Sequence, residues 1–182
     1  MGGFRSFEQS ARQGGPSVSP ARLRREGIDL LLGNLPPARS VLELGTGSPR
    51  VAELVAAKLS TGASYRRISF GEEAVPGETL PVADGAHDLF LCCYLLENLR
   101  SDQLYMVLSE ARRVLAPGGH WLLLSRAPGF LQMILPWVLP ESAKGIELSH
   151  FLSPEDWEVE SDHRVSSEGV TSRLMVLRKI PG

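Results

Sequence analysis

The stretch that decides the fold is Val41-Leu42-Glu43-Leu44-Gly45-Thr46-Gly47-Ser48-Pro49-Arg50. Ser40 to Leu44 reads as a buried strand that ends at Gly45. Arg50 to Leu59 then sets Val51, Leu54, Val55 and Leu59 on one side of a helix. Strand, glycine turn and helix thus follow one another within a short span. In an open α/β sheet, ligands bind at the carboxyl ends of the strands. Glycines there let the backbone approach a ligand closely, and the following helix offers unpaired N–H groups and a positive dipole end. Glu43, two residues before the first glycine, adds a carboxylate for a cationic or hydroxylated part of such a ligand. Arg50 stands where a dinucleotide fingerprint would place its last glycine, which disfavours an NAD or FAD site.

Outward from this core the pattern continues. Ser19-Pro20 reads as a helix start, with Leu23, Ile28, Leu31 and Leu32 as its apolar face and Gly33-Asn34 as its end. Ser64 to Phe70 is a moderate strand. Gly71 to Gly85 shows no helical period. Asp88 to Tyr94 is apolar enough for a central strand covered on both faces. Ser101 to Leu115 is the clearest helix, with Leu104, Leu108, Ala111 and Leu115 at helical spacing and Gly118-Gly119 as its stop. His120 to Leu124 follows as a strand. Trp157 to Val165 and Thr171 to Ile180 are close enough to pair as an antiparallel hairpin. Alternating strands and helices predict an α/β domain of about six strands, mostly parallel, with helices on both faces and this hairpin at the end.

The 182 residues are 43% hydrophobic and 22% charged, ordinary values for one globular domain. We divide them into a basic leader, residues 1–18, and a domain, residues 19–182. Residues 1–25 hold five arginines against Glu8 alone, so the remainder carries −6 of the net −2. The overall charge gives no pull toward nucleic acid. Met1-Gly2-Gly3-Phe4-Arg5-Ser6 fits the pattern for myristoylation of Gly2, the one route to membrane contact, since no apolar run approaches the length of a span. An acid-poor, arginine-containing start also fits an organellar transit peptide, and Gly14-Gly15-Pro16-Ser17 fits a plain linker. Cys92 and Cys93 are adjacent, which suits neither a disulfide framework nor a metal site. Buried thiols in a reducing compartment are the expectation, and a cytoplasmic location with it.

Three ordered segments resemble one family. Glu43-Leu-Gly-Thr-Gly resembles the first motif of class I S-adenosylmethionine-dependent methyltransferases. Leu80-Pro81-Val82-Ala83-Asp84-Gly85-Ala86-His87-Asp88-Leu89-Phe90-Leu91 resembles the loop and fourth strand of that family. Glu110-Ala111-Arg112-Arg113-Val114-Leu115-Ala116-Pro117-Gly118-Gly119-His120 resembles its helix-to-turn segment before the fifth strand. The resemblance, over roughly residues 20–180, implies a Rossmann-like sheet and S-adenosylmethionine as cofactor. It also implies methyl transfer to an acceptor, itself unidentified, and the apolar run Phe130 to Leu139 points to a hydrophobic one. A small molecule is the expected acceptor. Glu43, Gly45, Thr46 and Gly47 become cofactor residues, and the resemblance nominates no catalytic base.

The chain departs from the family in four places. Pro49 replaces the third glycine and removes one N–H from the cradle. Gly71 to His87 carries no helix, so one strand and one helix of the family pattern are missing. The acid expected after the second strand, for the ribose hydroxyls, falls to Glu72 or Glu73 only if Ser64 to Phe70 is that strand. The acid expected near the adenine amine falls near Pro76, with Glu78 as the nearest substitute. Such a truncated and altered site also fits a non-catalytic domain serving a protein complex. Tyr94, Glu97 and His150 occupy substrate-side positions of the family, while His87 and His120 are expected to face solvent.

Overall fold

Val41, Leu42 and Leu44 have no exposed surface, which places their strand, β1 (Ser40–Gly45), in the middle of a sheet. The structure is a computed structural model that describes residues 20–45, 49–71, 73–74, 78–127, 151–167 and 170–182. The leader, and with it the readings of Gly2 and of an organellar address, lies outside the described residues, as does the run Phe130 to Leu139. α1 (Pro20–Gly33) precedes β1, and α2 (Pro49–Ala56) follows it. Then come β2 (Ser64–Ser69), β3 (His87–Cys93), a 3₁₀ turn (Leu96–Asn98), α3 (Ser101–Val114), β4 (Leu115–Ala127), β5 (Trp157–Ser167) and β6 (Val170–Lys179). The six strands form one sheet in the order β2-β1-β3-β4-β6-β5. The first four are parallel, and β6 runs antiparallel to both β4 and β5, so the C-terminal hairpin closes the sheet.

Side chains alternate across the sheet and build two cores. Leu42, Leu44, Ile68, Phe90, Cys92, Trp121 and Leu123 pack on one face against Leu104, Val107, Leu108 and Ala111 of α3. Val41, Leu89, Leu91, Cys93, Leu122 and Leu124 pack on the other against Ile28 and Leu31 of α1 and Val51 and Val55 of α2. Both cysteines are buried and free, and burial pushes their thiols up in pKa. The entry to β1 is fixed by Asp88, whose carboxylate accepts the backbone N–H groups of Arg39 and Ser40 at 2.9 and 3.1 Å.

α3 ends at Val114, one residue before the expected Leu115, which is already extended, so β4 starts well before the expected His120. Two expectations need correction. His87 is buried, not solvent-facing. Its Nδ1 shares a hydrogen bond with Ser40 Oγ at 2.8 Å, and burial lowers its pKa. His120 is half-buried against Glu160, Nε2 to Oε2 3.2 Å.

Between Ser69 and His87 the described residues contain no helix and no strand, apart from one bridge between Phe70 and Ala74. The connection must still pass from one side of β1 to the other. Its second half is held by α3. Glu110 accepts the N–H of Leu80 at 2.6 Å. Arg113 donates to the carbonyls of Leu80 and Val82 at 3.1 and 2.8 Å, to Asp84 at 2.6 Å and to Glu110 at 2.7 and 2.9 Å. Burial opposes the charge on Glu110, yet the bonds from Arg113 and Leu80 outweigh it and hold the carboxyl below its ordinary range. Arg113→Met leaves Glu110 buried without its cation, with only the Leu80 N–H bond remaining, which costs about 3 kcal/mol. Thermal denaturation at neutral pH is expected to show a fall of roughly 6–12 °C. Because the Glu110 pKa is depressed, this contribution exists above the ordinary carboxylate range and fades as pH falls below it, so the gap from wild type narrows in acid.

Candidate active site at the carboxyl end of β1

β1 delivers Glu43 and Gly45 to the face shared by α1 and α2. Glu43 is only 3% exposed, an unusual position for a carboxylate in a strand. The reason it is tolerated is β2, which pairs directly with β1 and sets Arg67 opposite Glu43 and Tyr65 opposite Val41. Residues two apart in a strand share a face. Accordingly the Tyr65 hydroxyl donates to Glu43 Oε2. Burial raises the Glu43 pKa, with the Tyr65 bond and the charge of Arg67 opposing that rise. Burial, followed by the bond to Glu43, raises the Tyr65 phenol in turn. The other carboxylate oxygen faces Gly45: a Cβ on Gly45 would sit 3.0 Å from Glu43 Oε1. Gly45 therefore keeps a cradle open that a side chain would fill.

β2 lies beside β1, which settles that Ser64–Ser69 stands second from the sheet's switch and that the acids after it follow the second strand. Glu73 is exposed at that strand end, and its Oε1 accepts the N–H of Ser69 at 3.3 Å. Glu78 is exposed ahead of Leu80. Thr46, Gly47, Glu72 and His150 lie outside the described residues, as does Pro76. Pro49 is the first residue of α2, where its missing N–H costs the helix nothing.

On the far side of β1, β3 ends at Tyr94, which adopts a left-handed backbone with φ of 52°. Its hydroxyl meets Ser172 Oγ at 2.9 Å, and its carbonyl accepts from Asn98 Nδ2 at 2.9 Å. α1 approaches through Gly27, where any Cβ would overlap the Tyr94 hydroxyl. Glu97 follows in the 3₁₀ turn. Burial pushes its carboxyl up to about 6, against stabilising backbone bonds and the nearby Arg126. Its Oε2 is buried without a hydrogen-bond partner among the described residues. The strand ends thus bring Glu43 and Gly45 together with Tyr65 and Arg67, and set Tyr94 and Glu97 after the adjoining strand β3. Tyr65, Arg67 and Arg126 were not nominated by the sequence. The only signal for the first two is a polar pair spaced by two in a strand that ought to be covered. Two surface depressions lie at the opposite end, one lined by Asp84, Gly85 and Leu115 and the other by Arg39, Ala63 and Asp88. The described residues include no group of three or more His, Cys, Asp or Glu able to hold a metal ion, and no helix long and apolar enough to cross a membrane.

Residues 42–123 match the family described as methyltransferase domain. The fold is that of solved methyltransferases. Burkholderia thailandensis 1,6-didemethyltoxoflavin-N1-methyltransferase, with 1,6-didemethyltoxoflavin and S-adenosylhomocysteine bound, superposes with a TM-score of 0.66 at 18% identity, covering 96% of this chain and 86% of that one. N-methyltransferase NodS from Bradyrhizobium japonicum WM9, in complex with S-adenosylhomocysteine, gives 0.61 at 16% identity over 97% of both chains. The [4+2]-cyclase SpnF gives 0.65 at 16% identity, covering 94% of this chain and 86% of that one. No curated protein matches. The matched stretch runs from β1 into β4, and the described residues between β2 and β3 within it hold no helix and no further strand.

Because the folded-state pKa of Glu97 lies above the ordinary carboxyl value of 4.5, folding takes up a proton between the two values and stability falls as pH rises through that window. Glu97→Gln removes this penalty. Its melting temperature is expected to exceed wild type by a few degrees at pH 7, about 2 kcal/mol at most, and to converge with it below pH ~4.5.

Proposed function

We propose that this chain binds S-adenosylmethionine at the carboxyl end of β1 and transfers its methyl group to a small-molecule acceptor. The observation that carries this reading is the buried Glu43 carboxylate, anchored by Tyr65 and aimed at the open backbone of Gly45. The charged and polar groups there fit a ligand with an amino-acid end, and the bound S-adenosylhomocysteine of two fold neighbours agrees with that fit. Thr46 and Gly47 complete the cradle in this reading, and Glu72, Glu73 and Glu78 are the acids available to the nucleoside part. Tyr94 and Glu97 stand on the acceptor side, with His150. The two buried, unoxidised cysteines fit a reducing compartment such as the cytoplasm.

The cofactor supplies an electrophilic methyl group on a sulfonium. What the chain must do is position and dehydrate. Gly45 lets the backbone approach, and Glu43 holds a cationic group without being free to swing, because Tyr65 fixes it. The Tyr94–Ser172 bond and the close contact with Gly27 lock the end of β3, so the acceptor side is rigid. Such positioning provides most of the acceleration in a transfer that needs little covalent help.

Calorimetric titration with S-adenosylhomocysteine tests the reading. Micromolar binding is expected, abolished in Gly45→Arg, which fills the cradle, and weakened about tenfold or more in Glu43→Ala. A folded sample that takes up no ligand at millimolar concentration refutes it.

A further inference from the structure

β2 stands at one edge of the sheet, paired with β1 on its inner side alone. In a parallel ladder the N–H and C=O of one residue point to one side, and those of the next residue to the other. Ser64 donates its N–H to the Arg39 carbonyl at 2.8 Å, and Phe70 donates to that of Gly45 at 2.8 Å. Arg66 and Ile68 therefore also turn their backbone groups toward β1, while Tyr65, Arg67 and Ser69 turn theirs outward. Ser69 is already satisfied. Its N–H reaches Glu73 Oε1 at 3.3 Å, and its carbonyl accepts the N–H groups of Glu73 and Ala74 at 3.0 and 3.1 Å. The outward groups of Tyr65 and Arg67 belong to the free edge. Beyond Ser69 the chain turns away from it, since Ala74 and Leu80 are both buried in the core packed against α3.

Charge decides what can add to this edge. Residues 58–71 hold Lys58, Arg66 and Arg67 and no acid, and Arg66 is exposed. A second copy of β2, paired antiparallel about the strand centre, would set arginine against arginine, which is destabilising. The same arginines favour carboxylates on an incoming strand. The opposite edge strand, β5, has its acids already committed: Glu158 and Glu160 to Arg178, and Asp162 to Arg173. We infer that the free edge of β2 is an interaction surface that takes an extended, acidic segment of a partner protein as a further strand of the sheet. Backbone bonds at Tyr65 and Arg67 set the register of that segment, and the arginines select its charge. The surface is independent of the cofactor reading and stands or falls without it.

Hydrogen exchange on the free full chain is the first arm of the test. The amides of Tyr65 and Arg67 are expected to exchange about tenfold or more faster than those of Arg66 and Ile68. Equal protection of all four means that another part of the chain already covers the edge, and it overturns the inference. The second arm titrates the full chain with labelled peptides of alternating threonine and glutamate, matched to the six residues of β2, and follows fluorescence anisotropy. Saturable binding below about 1 mM is expected, with protection of the Tyr65 and Arg67 amides. A lysine-for-glutamate peptide, and the acidic peptide N-methylated throughout, are expected to bind about tenfold or more weakly. Arg66→Glu, at an exposed position, is expected to narrow or invert the preference for glutamate over lysine. An N-methylated peptide or a single-stranded oligonucleotide that binds as tightly as the acidic peptide shows charge attraction without strand addition, and overturns the inference. Absence of saturable binding by the folded chain overturns it as well.

Discussion

The structure depends on a crossover whose described residues hold no helix. Parallel strands on opposite sides of β1 must be joined over the sheet face, and the usual solution is a helix whose own hydrogen bonds satisfy the backbone. Here the described part of the connection has no such ladder. Its backbone groups at Leu80 and Val82 are satisfied from outside, by Glu110 and Arg113 of α3. One planar cation replaces much of what a helix would supply, because its five donors reach two carbonyls and two carboxylates at once. The arrangement ties the Leu80–Gly85 segment to the Glu110–Gly119 segment. Two motifs that look independent in sequence are halves of one contact.

The shortening has a consequence at the other end of the sheet. β2 becomes the outermost described strand on its side of β1, so its inward face is the wall of the candidate site. β2 is a partly exposed edge strand in which only Ile68 is buried. It carries Tyr65 and Arg67 on the face of Glu43, and the three form a small polar island beside an otherwise hydrophobic face of Val41, Leu89, Leu91 and Cys93. Burial of the Glu43 carboxylate opposes stability at neutral pH, as its raised pKa indicates. Polar groups held at such a cost on a core face are characteristic of sites rather than of packing.

The fold alone leaves the reaction open. Methyltransferases and a cyclase share this architecture at similar structural similarity and equally low identity. Chemistry is grafted onto strand ends and loops, so the argument for methyl transfer rests on the residues at the end of β1 and not on the sheet.

The order of elements was legible in the sequence because the signals are local. A run from Val41 to Leu44, a glycine, and apolar spacing of three and four residues state strand, turn and helix without reference to the rest of the chain. The end of α3 is legible to within one residue for the same reason, because its apolar spacing stops at Leu115. His87 was misjudged because its partner, Ser40, is remote in sequence. Glu43 and Gly45 are named by a contiguous motif. Their companions Tyr65 and Arg67, and the pairing of Arg113 with the Leu80 loop, depend on which strand lies beside which and in what register. Those contacts join residues more than twenty positions apart, and only the closing of the sheet brings them within the few ångströms over which hydrogen bonds and desolvation act.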